Sequence, residues 1–216
     1  MNLAPQKLYL NAKPFPYIAV DGLMPPVLAE EAGDEFPAAE NKVWKWFGNP
    51  MELKAVCSDV SAMGAFTRDL LHRMCNQEMV DAISEMTGIP KLIPDLHGGG
   101  MHLVPRDGKL GVHTDFNRGV NGYRRVNALL FLNSNWDLKW GGDLELWAYD
   151  KSFSVHIPPI ANRLVIFTTS SKSFHGHPRP LPCPSNRSRK SLAVYYFTQE
   201  PPADVEEPRG TVFLDV

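Results

Sequence analysis

The sequence predicts a mainly β domain of the α+β class, an antiparallel barrel or sandwich supported by helices at its N-terminal end. Two observations predict this class. Short runs rich in Val, Leu, Phe, Tyr and Trp fill the second half of the chain, and Gly, Pro, Asn or Ser bound each of them. Apolar residues at helical spacing occur in the first half. Strands this closely spaced, with turns between them, are typical of antiparallel barrels and sandwiches.

The N-terminal elements follow from apolar spacing and from residues that favour helix ends. Residues 17–20 are typical of a short strand, and Pro25-Pro26 suits the first turn of a helix reaching about Phe36. A second helix is predicted from Ser61 onward, with an apolar stripe of Met63, Phe66, Leu70, Leu71 and Met74. Asn76 can cap a third helix, which Gly88 and Pro90 end; its stripe is Met79, Val80, Ile83 and Met86. We expect about three helices that pack against one face of the barrel.

The strands predicted in the second half are residues 126–133, 143–147, 163–168 and 190–198. A chain of 216 residues with 44% hydrophobic residues can bury one full core. We therefore expect a single domain, with helical support from 1 to 97, a β core from 98 to 199 and a C-terminal tail from 200 to 216, in which the acidic, proline-rich residues 201–209 form an extended surface segment.

Charge and composition do not favour several classes of partner or site. The net charge is −2, which does not predict binding to nucleic acid or to a membrane surface. Residues 1–10 lack the features of a secretory signal, and no apolar run has the length of a membrane span. The expected location is the cytoplasm. The 3 cysteines are scattered, which argues against a disulfide framework and against a thiolate zinc site.

The spacing of two histidines and one aspartate indicates a metal site. His113-Thr114-Asp115, followed much later by His175, supplies two imidazoles and one carboxylate. This set holds non-haem Fe(II) and leaves the remaining coordination positions open for reagents. His177 would share a strand face with His175 and is the alternative second imidazole, although we favour His175.

Five ordered blocks of the sequence resemble the prolyl 4-hydroxylase-like branch of the Fe(II)/2-oxoglutarate-dependent dioxygenases. The blocks are VHTDFN (112–117), RVNALLFLN (125–133), WGGDLELW (140–147), SFHGHP (173–178) and RKSLAVYYF (189–197). The resemblance implies a double-stranded β-helix, or jelly roll, over roughly residues 98–199. It also implies that His113, Asp115 and His175 bind Fe(II) and that 2-oxoglutarate and O2 are co-reactants.

The same resemblance assigns the distal carboxylate of 2-oxoglutarate to Arg189, whose guanidinium can hold a carboxylate through two parallel hydrogen bonds. Strand alternation places Arg189 on one face with three other residues, Ser191, Ala193 and Tyr195. The competing basic residues are Lys190, which points to the opposite face, and Arg187, which falls in a predicted loop.

Further pocket residues follow from alternation on the strand at 126–133. Asn127, Leu129 and Phe131 should point inward and line the cosubstrate pocket. Phe131 departs from the resemblance, because many family members carry a tyrosine here whose hydroxyl helps to hold the carboxylate. This departure shifts the expected contacts to Arg189, with Asn127 or Ser191 beside it. Tyr123, Arg125 and His102 are candidates for the mouth of the pocket, the alternative being ordinary surface or core roles.

The expected function is hydroxylation of an unactivated C–H bond, with conversion of 2-oxoglutarate to succinate and CO2 and with ascorbate as a supporting reductant. The substrate class stays open between a peptidyl proline, a free amino acid and another small metabolite. The alternative from a different class is a non-catalytic jelly-roll module that binds or senses a metal or metabolite. Uncoupled conversion of 2-oxoglutarate to succinate distinguishes the two.

Overall fold

The computed structural model describes residues 3–116, 118–119, 122–202 and 211–215. Within these ranges the chain forms four α-helices and one antiparallel sheet of thirteen strands. The helices are α1 (Gln6–Leu10), α2 (Pro26–Asp34), α3 (Ala65–Cys75) and α4 (Gln77–Thr87). The strands are β1 (Tyr17–Asp21), β2 (Lys45–Asn49), β3 (Glu52–Cys57), β4 (Ile93–Val104), β5 (Lys109–Thr114), β6 (Arg118–Gly119), β7 (Gly122–Phe131), β8 (Leu144–Trp147), β9 (Ser154–Ile157), β10 (Arg163–Thr168), β11 (Phe174–His177), β12 (Arg189–Thr198) and β13 (Val212–Phe213).

The sheet folds over so that its two halves face one another. The strand order is β1-β10-β7-β12-β4-β3-β5-β11-β8-β9, with β2 on β3, β6 on β7 and β13 on β5. Phe131 and Phe167, from the first half, pack in one cluster with Leu146 and Ile157 from the second. The result is a nearly closed antiparallel barrel of the jelly-roll kind, which confirms the predicted fold class.

Alternation along β7 separates a helix side from a barrel side. Val126, Ala128 and Leu130 belong to the large core that also contains the buried faces of α2, α3 and α4. Asn127 and Leu129 point the other way, into a cavity between the two halves. The predicted inward face is therefore correct at these two positions.

The N-terminal helices differ from the prediction in two places. Helix α3 begins at Ala65, because residues 60–62 form a short 3-10 turn in which Asp59 Oδ1 accepts a hydrogen bond from the Ser61 amide at 2.9 Å. Phe66 consequently leaves the predicted stripe and is 41% exposed. Helix α1 was not predicted, because its five residues are too few for a periodic pattern. The predicted ends of α4 are confirmed: Asn76 Oδ1 accepts from the Met79 amide, and Gly88 adopts φ 71°.

A side chain from another element explains where α3 begins. Its N-cap is Gly64, which has no side chain to accept the free amide hydrogens. Glu35, next after α2, accepts hydrogen bonds from Phe66 N at 3.1 Å and Thr67 N at 2.8 Å. Burial acts to raise the pKa of Glu35, but these N–H donors outweigh it and the pKa lies below its ordinary value.

We expect Glu35→Ala to lower the free energy of unfolding by about 1 kcal/mol, the usual effect of losing a helix cap. Because the folded-state pKa of Glu35 is depressed, its contribution is present above the ordinary carboxyl pKa of about 4.3 and is lost as pH falls below it. Urea unfolding of both proteins at neutral and acidic pH measures this. A stability difference that stays constant from pH 7 to 3 would show that the ionised carboxylate is not the cap.

The C-terminal tail contains one strand that was not predicted. Val212–Phe213 forms β13 and pairs with the outer edge of β5, next to His113. The acidic part of the tail, residues 203–210, lies outside the described residues. Smaller differences concern strand ends: β7 begins at Gly122 and stops at Phe131, and β12 begins at Arg189. Among the described helices, none has the length and apolar character needed to span a membrane.

Candidate metal centre

Three potential ligand side chains converge at the end of β5. His113 on β5 is paired directly with His175 on β11, and Asp115 follows β5 immediately. His175 Nε2 lies 3.3 Å from Asp115 Oδ2, and His113 Nε2 lies 3.5 Å from Oδ1. One potential ligand atom from each residue lies within 4.8 Å of the other two, and no other such group of His, Cys, Asp or Glu occurs in the described part of the chain.

Backbone carbonyls orient both imidazoles. His113 Nδ1 lies 2.8 Å from the Gly111 carbonyl oxygen, and His175 Nδ1 lies 3.0 Å from that of Ser173. An Nδ1–H that donates to a carbonyl leaves Nε2 unprotonated and available to a metal. Two imidazole nitrogens and one carboxylate are a donor set that fits Fe(II).

Asp115 is held as a carboxylate by its neighbours. Burial acts to raise the pKa of Asp115, but the positive charge of Arg124 and the interactions with His113 and His175 outweigh it, so the pKa lies well below its ordinary value. Asn127 Nδ2 donates to Oδ2 at 3.2 Å, and Arg124 Nη2 approaches the same oxygen to 3.2 Å. Asn127 therefore lines the cavity as predicted and also contacts a ligand residue.

Arg124 was not among the residues selected from the sequence, where Arg125 was a candidate for the mouth of the pocket with a surface role as the alternative. The pairing of β7 with β12 shifts at this point, with Val126 opposite Tyr196 and Arg124 opposite Phe197, so that Arg125 is the extra residue of a bulge. Arg124 consequently turns inward, where its Cζ lies 3.3 Å from the centroid of the Tyr195 ring. Arg125 instead reaches the Thr198 hydroxyl, at 3.3 Å. No residue signature marks this bulge.

The three ligand residues open into a cavity of about 160 Å³ that also contains Arg189. Leu129 and Ser191 line it, as expected from alternation on β7 and β12. Lys190 does not; its Nζ donates to the Gly33 carbonyl oxygen, at 2.8 Å, on the helix side. Arg187 donates to the Ser134 carbonyl oxygen at 2.9 Å, outside the cavity lining. Of the three basic residues considered from the sequence, Arg189 alone faces the cavity.

Arg189 is fixed by its surroundings. Its Nε donates to the Gly142 carbonyl oxygen at 2.7 Å, and its Cζ lies 4.7 Å from the centroid of the Phe131 ring. Gly142 has φ +76°, and a Cβ there would lie 3.1 Å from Arg189 Cδ, so the position favours glycine. Burial lowers the pKa of Arg189 to about 10, which leaves the guanidinium charged at neutral pH.

The position of Phe131 corrects one sequence-based expectation. Phe131 is fully buried and packs against Phe167 and Leu146 rather than lining the cavity. Its ring packs against the Arg189 guanidinium. Alternation predicted the correct face, but at this end of the barrel the two halves pack together and leave no space.

Two further histidines and a lysine line the cavity. His102 Nε2 lies 3.1 Å from the Gly98 carbonyl oxygen, and burial together with the charge of Lys54 lowers its pKa to about 3. Burial and the charges of Arg189 and Lys54 hold the pKa of His177 well below its ordinary value. Both imidazoles are therefore neutral at neutral pH. His102 is one of the residues that line the cavity, whereas the sequence had left open a place at the pocket mouth or a surface or core role.

His177 shares the cavity with His175 but not the ligand group. The register of β11 against β5 shifts between them, so that His177 lies opposite Leu110 and outside the ligand group. Gly176 makes this close approach possible, because a Cβ there would lie 2.7 Å from the Gly111 carbonyl oxygen. His177 Nδ1 is buried with no hydrogen-bond partner among the described residues. Such an unpaired group costs about 1–3 kcal/mol unless a ligand satisfies it.

Comparison with known proteins finds a family whose profile matches the segment that contains these residues. Residues 99–197 match the profile of the 2OG-Fe(II) oxygenase superfamily. Prolyl hydroxylase EGLN3 of Homo sapiens is 32% identical over 85 residues, 39% of this chain and 34% of that protein. The chain thus spans about a third of the length of the curated relatives it matches.

Solved structures share the fold at low sequence identity. A prolyl-4-hydroxylase of Pseudomonas putida superposes with a TM-score of 0.64 at 19% identity, covering 85% of this chain and 93% of that one. A prolyl hydroxylase of Trichoplax adhaerens, in complex with a hypoxia inducible factor peptide fragment, gives 0.65 at 16% identity and covers 90% of each chain. Residues 99–197, which contain the His113–Asp115–His175 group, therefore match the 2OG-Fe(II) oxygenase superfamily, and the similar proteins include prolyl hydroxylases.

Proposed function

We propose that the chain is a dioxygenase that uses Fe(II) and 2-oxoglutarate to hydroxylate an unactivated C–H bond of a prolyl residue or an amino-acid-like metabolite. Succinate and CO2 are the co-products. The observation that carries the proposal is that one cavity contains both the His113–Asp115–His175 group and a buried guanidinium, that of Arg189. A module that only bound a metal would have no need of the second feature.

Different residues of the cavity would bind the metal and the cosubstrate. His113, Asp115 and His175 would hold Fe(II), and the bound metal supplies the activation of O2 that C–H oxidation requires. Arg189 would hold the distal carboxylate of 2-oxoglutarate, with Ser191 beside it on the same face of β12. Leu129 and Leu144 contribute apolar wall and limit the water around the reagents.

Two observations support an amino-acid-like or prolyl substrate. The curated relatives and two of the similar structures are named prolyl hydroxylases, and one of those structures contains a bound peptide fragment. A cavity of about 160 Å³ accommodates a small diacid and, at its mouth, one side chain or small metabolite rather than a folded partner. Arg124 and Tyr195 line the cavity beside the metal ligands and are placed to contact such a group.

Turnover without added substrate tests the enzymatic part of the proposal. The protein loaded with Fe(II) and supplied with ascorbate and O2 should convert 2-oxoglutarate slowly to succinate, whereas the Zn(II)-loaded protein should not. Mass spectrometry should then find a product 16 Da heavier among candidate prolyl peptides and amino acids. Binding of Fe(II) and 2-oxoglutarate with no succinate and no oxidised product would instead favour a non-catalytic sensing module.

A further inference from the structure

We propose that His177 is a second binding residue for the distal carboxylate of 2-oxoglutarate, acting beside Arg189 as a hydrogen-bond donor. This inference rests on the proposed function and assigns a role to a residue outside the metal-ligand group. The first observation concerns the burial and the hydrogen bonding of the His177 imidazole. His177 is 4% exposed, it lines the same cavity as Arg189, and its Nδ1 has no hydrogen-bond partner in the described part of the chain.

The charges around His177 indicate an anion as its partner. The side chains of Arg189 and Lys54 line the same cavity as His177. Lys54 is already paired, with its Nζ 3.5 Å from Glu52 Oε2. A guanidinium and an imidazole N–H that line one cavity can both donate to a carboxylate, which fits this site better than a neutral group does.

The contacts of Arg189 explain why a second donor is needed. One of its N–H groups is used by the Gly142 carbonyl oxygen, and one face of the guanidinium lies against the Phe131 ring. The Phe131 ring has no hydroxyl to donate. The guanidinium fork makes two parallel hydrogen bonds to a carboxylate, which leaves further acceptor sites on the two oxygens for a second donor. His177 lies on β11, on the opposite half of the barrel from Arg189, and can donate from another direction.

The backbone supports this placement. The shift in register after His175 and the close approach of Gly176 to the Gly111 carbonyl oxygen place His177 opposite Leu110 and outside the ligand group. The position is therefore suited to the cosubstrate and not to the metal. A change at His177 should alter cosubstrate affinity and leave metal affinity unchanged.

Two variants distinguish the loss of the hydrogen-bond donor from a change in the shape of the side chain. His177→Leu removes the donor, while His177→Asn keeps an N–H close to the position of Nδ1. Calorimetric titration of 2-oxoglutarate into the Mn(II)-loaded proteins should show a dissociation constant raised about tenfold in His177→Leu and less than about threefold in His177→Asn. The same titration with 2-oxopentanoate, which lacks the distal carboxylate, should give equal constants for the wild-type and His177→Leu proteins. Mn(II) affinity should be equal in all three.

Three results would overturn the inference. The His177→Leu protein could bind 2-oxoglutarate as tightly as the wild type, or lose affinity for both oxoacids equally, or bind Mn(II) more weakly. If His177→Leu does not fold, the His177→Asn protein decides the matter, because loss of 2-oxoglutarate affinity with an intact N–H would contradict donation. Failure of the wild-type Mn(II) protein to bind 2-oxoglutarate at all would contradict the proposed function itself, which keeps the two tests distinguishable.

Discussion

A His175→Ala variant is expected to lose both tight Fe(II) binding and turnover. His175 supplies one of the three ligand atoms that lie within 4.8 Å of one another, and no other such group of potential ligands occurs among the described residues. Two remaining donors cannot reproduce the three-ligand face that Fe(II) requires. Equilibrium dialysis with metal analysis measures the binding, and succinate formation measures the turnover.

His177→Ala is the matched control, two positions along the same strand. It should retain Fe(II), because His177 lies opposite Leu110 and outside the ligand group. Loss of metal in His177→Ala, with metal retained in His175→Ala, would show that the assignment within this pair is reversed.

Arg189→Ala is expected to raise the dissociation constant for 2-oxoglutarate by about ten- to a hundredfold. Hydrogen bonds to charged groups contribute about 1.5–3 kcal/mol, and about 1.4 kcal/mol corresponds to a factor of ten. The guanidinium is buried, remains charged at neutral pH and faces the cavity. Metal affinity should change little, because Arg189 is not among the ligand residues.

Lys190→Ala tests whether the effect is specific to the inward face. Lys190 points to the helix side, where its Nζ donates to Gly33 and lies 5.7 Å from the centroid of the Phe36 ring. The variant should bind 2-oxoglutarate nearly as the wild type does, with at most a loss of thermal stability. A larger loss of affinity in Lys190→Ala than in Arg189→Ala would mean that the register of β12 is off by one residue.

The sequence predicts those parts of the site that depend on local spacing. His113 and Asp115 are two residues apart at a strand end, and the parity of β12 points Arg189 inward and Lys190 outward. The pairing of His175 with His113 across the sheet could be anticipated only from the ordered blocks, because strand pairing over such a sequence distance leaves no local signal.

The features that the sequence did not predict depend on tertiary structure. Arg124 enters the cavity because a bulge in β7 against β12 interrupts the alternation that pointed to Arg125. Lys54 reaches the cavity from β3, which bridges the two halves of the sheet. Phe131 leaves the cavity lining because the two halves close against each other at its level. Each of these positions depends on strand pairing and on the packing of the two halves of the sheet, which residue type and local spacing do not reveal.

The ligand group and Arg189 are expected to bind one molecule of 2-oxoglutarate. Anaerobic titration of 2-oxoglutarate into the Fe(II)-loaded protein, followed by the metal-to-ligand absorption band, measures this binding. The band should appear and saturate in the wild type, need about ten- to a hundredfold more 2-oxoglutarate in Arg189→Ala, and be absent in His175→Ala. A wild-type protein that binds Fe(II) yet shows no band at any 2-oxoglutarate concentration would show that these residues do not form a 2-oxoglutarate site.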